Sequence, residues 1–162
     1  MMTGMFRTVL VILTLSLSGV ASGDSKGKVP KGVSLPGLAK GTLETSDLRG
    51  QTTVIEFFAA WCEGCSAVMK KLEKISPSKD QMFVVSLDET RSDALGYFKR
   101  KKEIRHLKKV AYHDAEASLA ESLGVESLPA VFVIGPSGKV IKKIHGHPTG
   151  KQYKQIRKLL NR

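Results

Sequence analysis

The stretch Thr53-Val-Ile-Glu-Phe-Phe-Ala59, followed almost at once by Trp61-Cys-Glu-Gly-Cys65, constrains this chain more than any other feature. The first run is apolar, β-branched and aromatic with a single acid, Glu56, and reads as a buried strand. Cys65, Val68, Met69 and Leu72 then recur at helical spacing, with Lys70, Lys71 and Lys74 on the other face and Pro77 closing the helix. A pair of thiols thus stands at a strand-to-helix junction, close enough to form a disulfide within one helical turn. The first thiol lies at the helix N-terminus, where free N–H groups and the positive end of the dipole stabilise a thiolate. That placement suits Cys62 to attack a disulfide and Cys65 to resolve the mixed disulfide that follows. Half of a zinc site has the same spacing. The chain holds no cysteine besides these, which excludes a four-thiolate zinc centre and a multi-disulfide scaffold. From the spacing alone a static structural disulfide is the alternative.

Downstream, strand and helix signals alternate. Met82–Leu87 reads as a second buried strand, Thr90 to about Lys102 as a helix, and Val110-Ala-Tyr112 as a short third strand. Asp114 is placed to cap a helix with Leu119, Ala120 and Leu123 inward and Gly124 as its stop. Ala130–Ile134, the turn Gly135-Pro-Ser-Gly138 and Lys139–Ile144 predict a β-hairpin. Thr149 and Gln152 have the spacing of a capping box for a last helix that buries Tyr153, Ile156, Leu159 and Leu160. The order β-α-β-α-β-α-β-β-α predicts an α/β fold, a central mixed sheet flanked by helices with a C-terminal hairpin and helix. A chain of 162 residues that is 41% hydrophobic has room and apolar surface for one such domain.

The N-terminus has a different character. A single Arg7 precedes the apolar run Val9–Leu17, and the small residues Ser18, Gly19, Ala21, Ser22 and Gly23 follow. Residues 1–23 read as a secretory signal peptide, with an uncleaved anchor as the rival, although the run is shorter than the ~20 residues of a spanning helix. The segment carries no cysteine, so a lipid anchor is unsupported. Residues 24–40 read as a linker and 41–162 as the folded domain. Export places the chain in the periplasm or another extracytoplasmic, oxidising compartment.

Lys and Arg number 26 against 15 Asp and Glu, for a net charge of +11. Lys99–Lys109 holds seven of the cations against Glu103 alone, and Ser127–Arg162 holds eight with no acid. Neither stretch interleaves aromatics as single-strand nucleic-acid binders do, and export argues against nucleic acid as a partner. A solvated face, or contact with an acidic partner or anionic membrane surface, accounts for the charge.

Three motifs, Val54-Ile-Glu-Phe-Phe-Ala-Ala-Trp-Cys-Glu-Gly-Cys65, Gly124-Val-Glu-Ser-Leu-Pro-Ala-Val-Phe-Val-Ile134 and Gly135-Pro-Ser-Gly-Lys-Val-Ile141, resemble the thioredoxin superfamily in order and spacing. The group most similar is the exported TlpA/ResA-like thiol–disulfide oxidoreductases, over about residues 34–162. The helix-sized stretch after Met82–Leu87 also suits that group. The resemblance implies a thioredoxin fold, with Leu128-Pro129 as a cis-proline loop that faces the dithiol and offers backbone groups to an extended substrate. It makes Glu56 a buried acid beneath the site, with a raised pKa suited to shuttling the proton of Cys65. Trp61 packs beside the dithiol on this reading. Glu63 and Gly64 lie between the cysteines, where the charge of Glu63 opposes a thiolate. Gly64 departs from the proline usual in ResA-like proteins, and the lysine that often partners the buried acid is absent, Val84 or Val85 standing in that region.

The implied catalytic set is Cys62, Cys65 and Glu56, with Trp61, Glu63, Gly64, Leu128 and Pro129 meeting the substrate. The implied activity is reduction of disulfides in exported cysteine-containing proteins, apocytochrome c among them. Re-reduction would come from a membrane electron donor of the DsbD or CcdA kind. No bound cofactor is implied beyond the redox-active Cys62–Cys65 disulfide, and no resident metal. One rival is a disulfide-introducing oxidase using the same residues. The other is a copper-binding metallochaperone in which His145 or His147, two apart at a strand end, completes a site with the thiols. His106 and His113 belong to no visible constellation.

Overall fold

The computed structural model describes residues 27–162, so the segment read as a signal peptide or anchor, residues 1–23, lies outside the described residues. The strands are β1 (Ser34–Pro36), β2 (Thr42–Glu44), β3 (Thr53–Phe58), β4 (Met82–Ser86), β5 (Ala111–His113), β6 (Ala130–Ile134) and β7 (Val140–His145). The helices are α1 (Cys65–Ile75), α2 (Arg91–Arg100), α3 (Ser118–Leu123) and α4 (Gly150–Leu160), with 3-10 segments at Lys79–Gln81 and Lys102–Val110.

β3 is buried at every position because it is the middle strand of a five-stranded sheet in the order β5-β4-β3-β6-β7. It pairs in parallel with β4 and antiparallel with β6, β5 continues the parallel half, and β7 closes the antiparallel half. Alternation along β3 then assigns its side chains to two layers. Val54 and Phe58 face a cluster with Val68, Met69 and Leu72 of α1, Tyr97 and Phe98 of α2, and Tyr153 and Ile156 of α4. Ile55 and Phe57 face the other cluster, with Leu119 and Leu123 of α3. The mixed, helix-flanked sheet and C-terminal hairpin are those the alternation predicted.

Local chemistry sets the helix ends. Thr149 and Gln152 form the expected capping box of α4. Asp114 acts from farther upstream than an N-cap, its carboxylate accepting the N–H groups of Leu119 and Ala120 at 3.0 Å. Gly124 ends α3 in the left-handed region at φ 72°, and Lys143 reaches across from β7 to donate to the Leu123 carbonyl at 2.6 Å. β7 is one edge of the sheet, and its adjacent Lys142 and Lys143 keep it unattractive for further pairing.

The segment read as a linker departs from that reading once it enters the described residues. Lys28 bridges to Lys139, Val29 is buried, and β1 and β2 form an antiparallel hairpin in which Leu35 lies opposite Leu43. Both leucines join the cluster on the α3 side of the sheet. Leu38 N–H donates to the Ala111 carbonyl at 2.7 Å, and Arg91 donates to the carbonyls of Gly37 and Leu38 at 2.8 and 3.0 Å. A Gly-, Pro- and Lys-rich stretch hides such a hairpin because only alternate residues are apolar, and each strand is three residues long.

Candidate active site

The C-terminal end of β3 delivers the chain into a tight turn before α1. Cys62 N–H donates to the Ala59 carbonyl at 2.9 Å, and Cys65 N–H to the Cys62 carbonyl at 3.4 Å. Cys62 and Cys65 are joined as a disulfide, with their Cα atoms 5.6 Å apart. Cys62 is 5% exposed and Cys65 fully buried, so Cys62 is the sulfur nearer to solvent. Gly64 is the residue before α1, and no acid occupies the first turn of the helix. The N-terminal end of the dipole is therefore opposed only from outside the helix, by the exposed Glu63. Trp61 is 72% exposed beside the disulfide, a large apolar surface at the mouth of the site.

Glu56 sits mid-strand with no exposure, and neither carboxyl oxygen has a hydrogen-bond partner among the described residues. It lies between Val54 and Phe58 on the same face of β3, the face that packs on Cys65. Val84 and Val131 are its strand neighbours, so neither flanking position offers a cation. Burial holds its carboxyl well above the usual carboxylate range. Tyr153 is pushed up to about 12, chiefly by burial and then by the Glu56 charge. Both groups favour their neutral forms beneath the disulfide.

The Leu128–Pro129 bond is cis. Pro129 is buried, and half-buried Leu128 packs against both core clusters, one of them containing Cys62 and Cys65. Gly146, left-handed at φ 78°, donates its N–H to the Pro129 carbonyl at 2.8 Å and so ties the loop after β7 to the proline loop. The two histidines of that loop do not share a direction. His145 Nε2 accepts the Glu126 N–H at 3.3 Å with its ring edge-on to Phe132, whereas His147 lies against Gly64. Among the described residues no three His, Cys, Asp or Glu side chains are grouped to hold a metal ion. His106 pairs with Glu73 at 2.6 Å, remote from the disulfide in sequence and on a solvent-exposed face.

Some residues that shape the site carried no sequence signal strong enough to single them out. Tyr97, from α2, is buried against Phe58 at 5.2 Å between ring centres and donates its hydroxyl to the Cys62 carbonyl at 3.4 Å. Burial raises its pKa, so it remains a donor. Asp88, just past β4, accepts the Ala60 N–H at 2.7 Å and the Ser86 hydroxyl at 2.8 Å, fixing the turn that leads into Trp61 and Cys62. His113 Nε2 holds the Asp88 carbonyl in turn, at 2.7 Å. An acid directly after an apolar strand was the available hint. Asp88→Ala strands the Ala60 N–H and the Ser86 hydroxyl and is expected to cost about 2 kcal/mol in urea unfolding, with Asp88→Asn costing less because one acceptor remains.

The Redoxin family model matches residues 24–160. The ResA thiol–disulfide oxidoreductase of Bacillus thuringiensis is 25% identical over 119 residues, 72% of this chain and 67% of that protein. A thiol–disulfide oxidoreductase structure from Bacteroides fragilis superposes with a TM-score of 0.63 at 23% identity, covering 80% of this chain and 98% of that one. The exposed lipoprotein thioredoxin of Streptococcus pneumoniae does so with 0.60 at 24% identity, covering 78% and 97%. These structural likenesses show the fold. Among the described residues no helix is long and apolar enough to cross a membrane.

Proposed function

Because the chain belongs to the Redoxin family and is a ResA-like thiol–disulfide oxidoreductase of the thioredoxin superfamily, we propose that it is exported and reduces disulfides in extracytoplasmic proteins. The observation that carries the reading is the disulfide at the start of α1, Cys62 outermost, packed in one core cluster with the face of β3 that carries a buried carboxyl without a hydrogen-bond partner among the described residues. In the reduced enzyme the Cys62 thiolate attacks one sulfur of the substrate disulfide. A Cys62–substrate disulfide forms and the first substrate thiolate leaves. Glu56, in its ionised form, takes the proton of Cys65 as Cys65 attacks the Cys62 sulfur, which closes the Cys62–Cys65 disulfide and releases the second substrate thiolate. The dithiol loses two electrons and the substrate disulfide gains them. The substrate thiolates take up protons from solvent and from Glu56. A carboxyl whose pKa is raised by burial is better matched to a thiol than an ordinary one.

Trp61 and the Leu128–Pro129 loop supply an apolar surface and backbone groups for an extended segment of substrate. Re-reduction, two electrons and two protons per cycle, would come from a membrane dithiol donor of the DsbD or CcdA kind. The exposed cations of α4, Lys151, Lys154, Arg157 and Lys158, support contact with the anionic surface where such a donor resides. The reducing direction is favoured by Glu63, whose charge destabilises the Cys62 thiolate and with it the reduced form. Equilibration with dithiothreitol buffers, with the thiols trapped by alkylation, tests this directly. A reduction potential near the ~−270 mV of thioredoxin is expected, and one near ~−120 mV would make the protein an oxidase.

A further inference from the structure

The glycine between the cysteines is not required by its own backbone. Gly64 has φ −83° and ψ −13°, right-handed helical values open to any residue. The space beside it is taken by one side chain: a Cβ on residue 64 would collide with Cε1 and Nε2 of the exposed His147 imidazole, and fits only if that ring moves. The ring fills the volume that a side chain in the middle of the CxxC segment would otherwise take. Its backbone is held from both sides, by the Gly146 N–H on the Pro129 carbonyl before it and by buried Pro148 and the α4 capping box after it. His147 itself is exposed, so its ring stands at the mouth of the site without being enclosed.

We propose that His147 is a positioning residue for the dithiol, bringing an imidazole from the β7–α4 loop against Gly64 of the CxxC segment and stabilising the Cys62 thiolate of the reduced enzyme. The inference rests on the reductase reading and deepens it. When Cys62 gives up its proton to solvent, the new charge lies at the start of α1, and an adjacent imidazole adds an N–H donor and, once protonated, a positive charge. The other charged groups on the segments that meet here are Glu63 on the CxxC loop, Glu126 before the proline loop and Lys151 in the first turn of α4, all exposed, with Glu56 buried below. Glu63 acts against the thiolate and His147 offsets it.

The test is a pH titration of the Cys62 thiolate by its ultraviolet absorbance in purified, reduced protein, for wild type, His147→Ala, Gly64→Ala and the double variant. His147→Ala is expected to move the Cys62 midpoint up by about one pH unit. The reduction potential should become about 30 mV more negative, the equivalent of a tenfold change in equilibrium constant. Gly64→Ala expels the ring and gives a shift of the same sign, and adding it to His147→Ala gives nothing further. A wild-type midpoint in His147→Ala, or shifts that simply add in the double variant, would overturn the proposal. Should His147→Ala fold poorly, Gly64→Ala still reports whether displacing the ring moves the midpoint. The titration is read on reduced protein whether or not it turns over, so a wild-type disulfide that fails to exchange would sink the reductase reading alone.

Discussion

Cys62→Ser is expected to lower turnover of a protein disulfide by about 10³-fold or more, because it removes the atom that begins the exchange. A serine hydroxyl at the same place is not ionised at neutral pH, and the N-terminal end of α1 stabilises a thiolate far more readily than an alkoxide. Cys65→Ser should behave differently. There the attack by Cys62 proceeds, resolution fails, and a covalent complex with substrate accumulates that can be seen on a non-reducing gel. The asymmetry follows from position, since Cys62 keeps 5% exposure and Cys65 has none. Stability must be compared with the matching redox state. Breaking a disulfide that spans so few residues removes about 2 kcal/mol on the chain-entropy account, so Cys62→Ser should unfold like reduced wild type and before oxidised wild type. Full activity in Cys62→Ser, with Cys65 still present, would remove the dithiol from the mechanism.

What could be read in the sequence was what repeats or punctuates. All six residues of β3 are buried because the strand is central, and its run of Val54, Ile55, Phe57 and Phe58 is visible without a structure. The capping box at Thr149 and Gln152 is a two-residue chemical signature that needs no tertiary context. The β1–β2 hairpin is the opposite case. Its stability comes from Leu35 and Leu43 reaching a layer built by α3 and the far face of the sheet, and nothing within residues 34–44 announces that layer. Asp88 and Tyr97 escaped for the same reason, and His147 stood out only as a candidate metal ligand. Each acts on the CxxC turn from another element, through the Ala60 N–H, the Cys62 carbonyl and the space above Gly64. Gly64 was visible as a departure from the family pattern, while the imidazole that occupies the space beside it belongs to His147, 83 residues away in the sequence. Long-range exclusion of a side chain leaves no local trace except the glycine itself.

The same distinction makes Glu56 the most informative residue to alter. Its folded pKa stands above its unfolded value, since burial without a hydrogen bond penalises the carboxylate. Below about pH 4.3, the ordinary value for glutamate, both states hold the proton and the residue contributes no pH dependence. As pH rises past that value the unfolded chain ionises while the native protein keeps its proton. The native state then binds more protons, and stability declines by about 1.4 kcal/mol per pH unit until the folded group also ionises. Glu56→Leu should therefore be more stable than wild type at neutral pH, with the difference shrinking as pH falls toward 4, and urea melts across that range give the slope. Activity should move the other way. Glu56→Gln keeps the shape but cannot accept the proton of Cys65, so the resolving step should slow by about 10²-fold or more, and quenched samples should show the mixed disulfide building up. A variant that gained stability yet resolved at the wild-type rate, with an unchanged pH profile, would leave the buried acid without a part in the chemistry. Loss of rate together with gain of stability is the signature of a carboxyl retained for proton transfer at the expense of the fold.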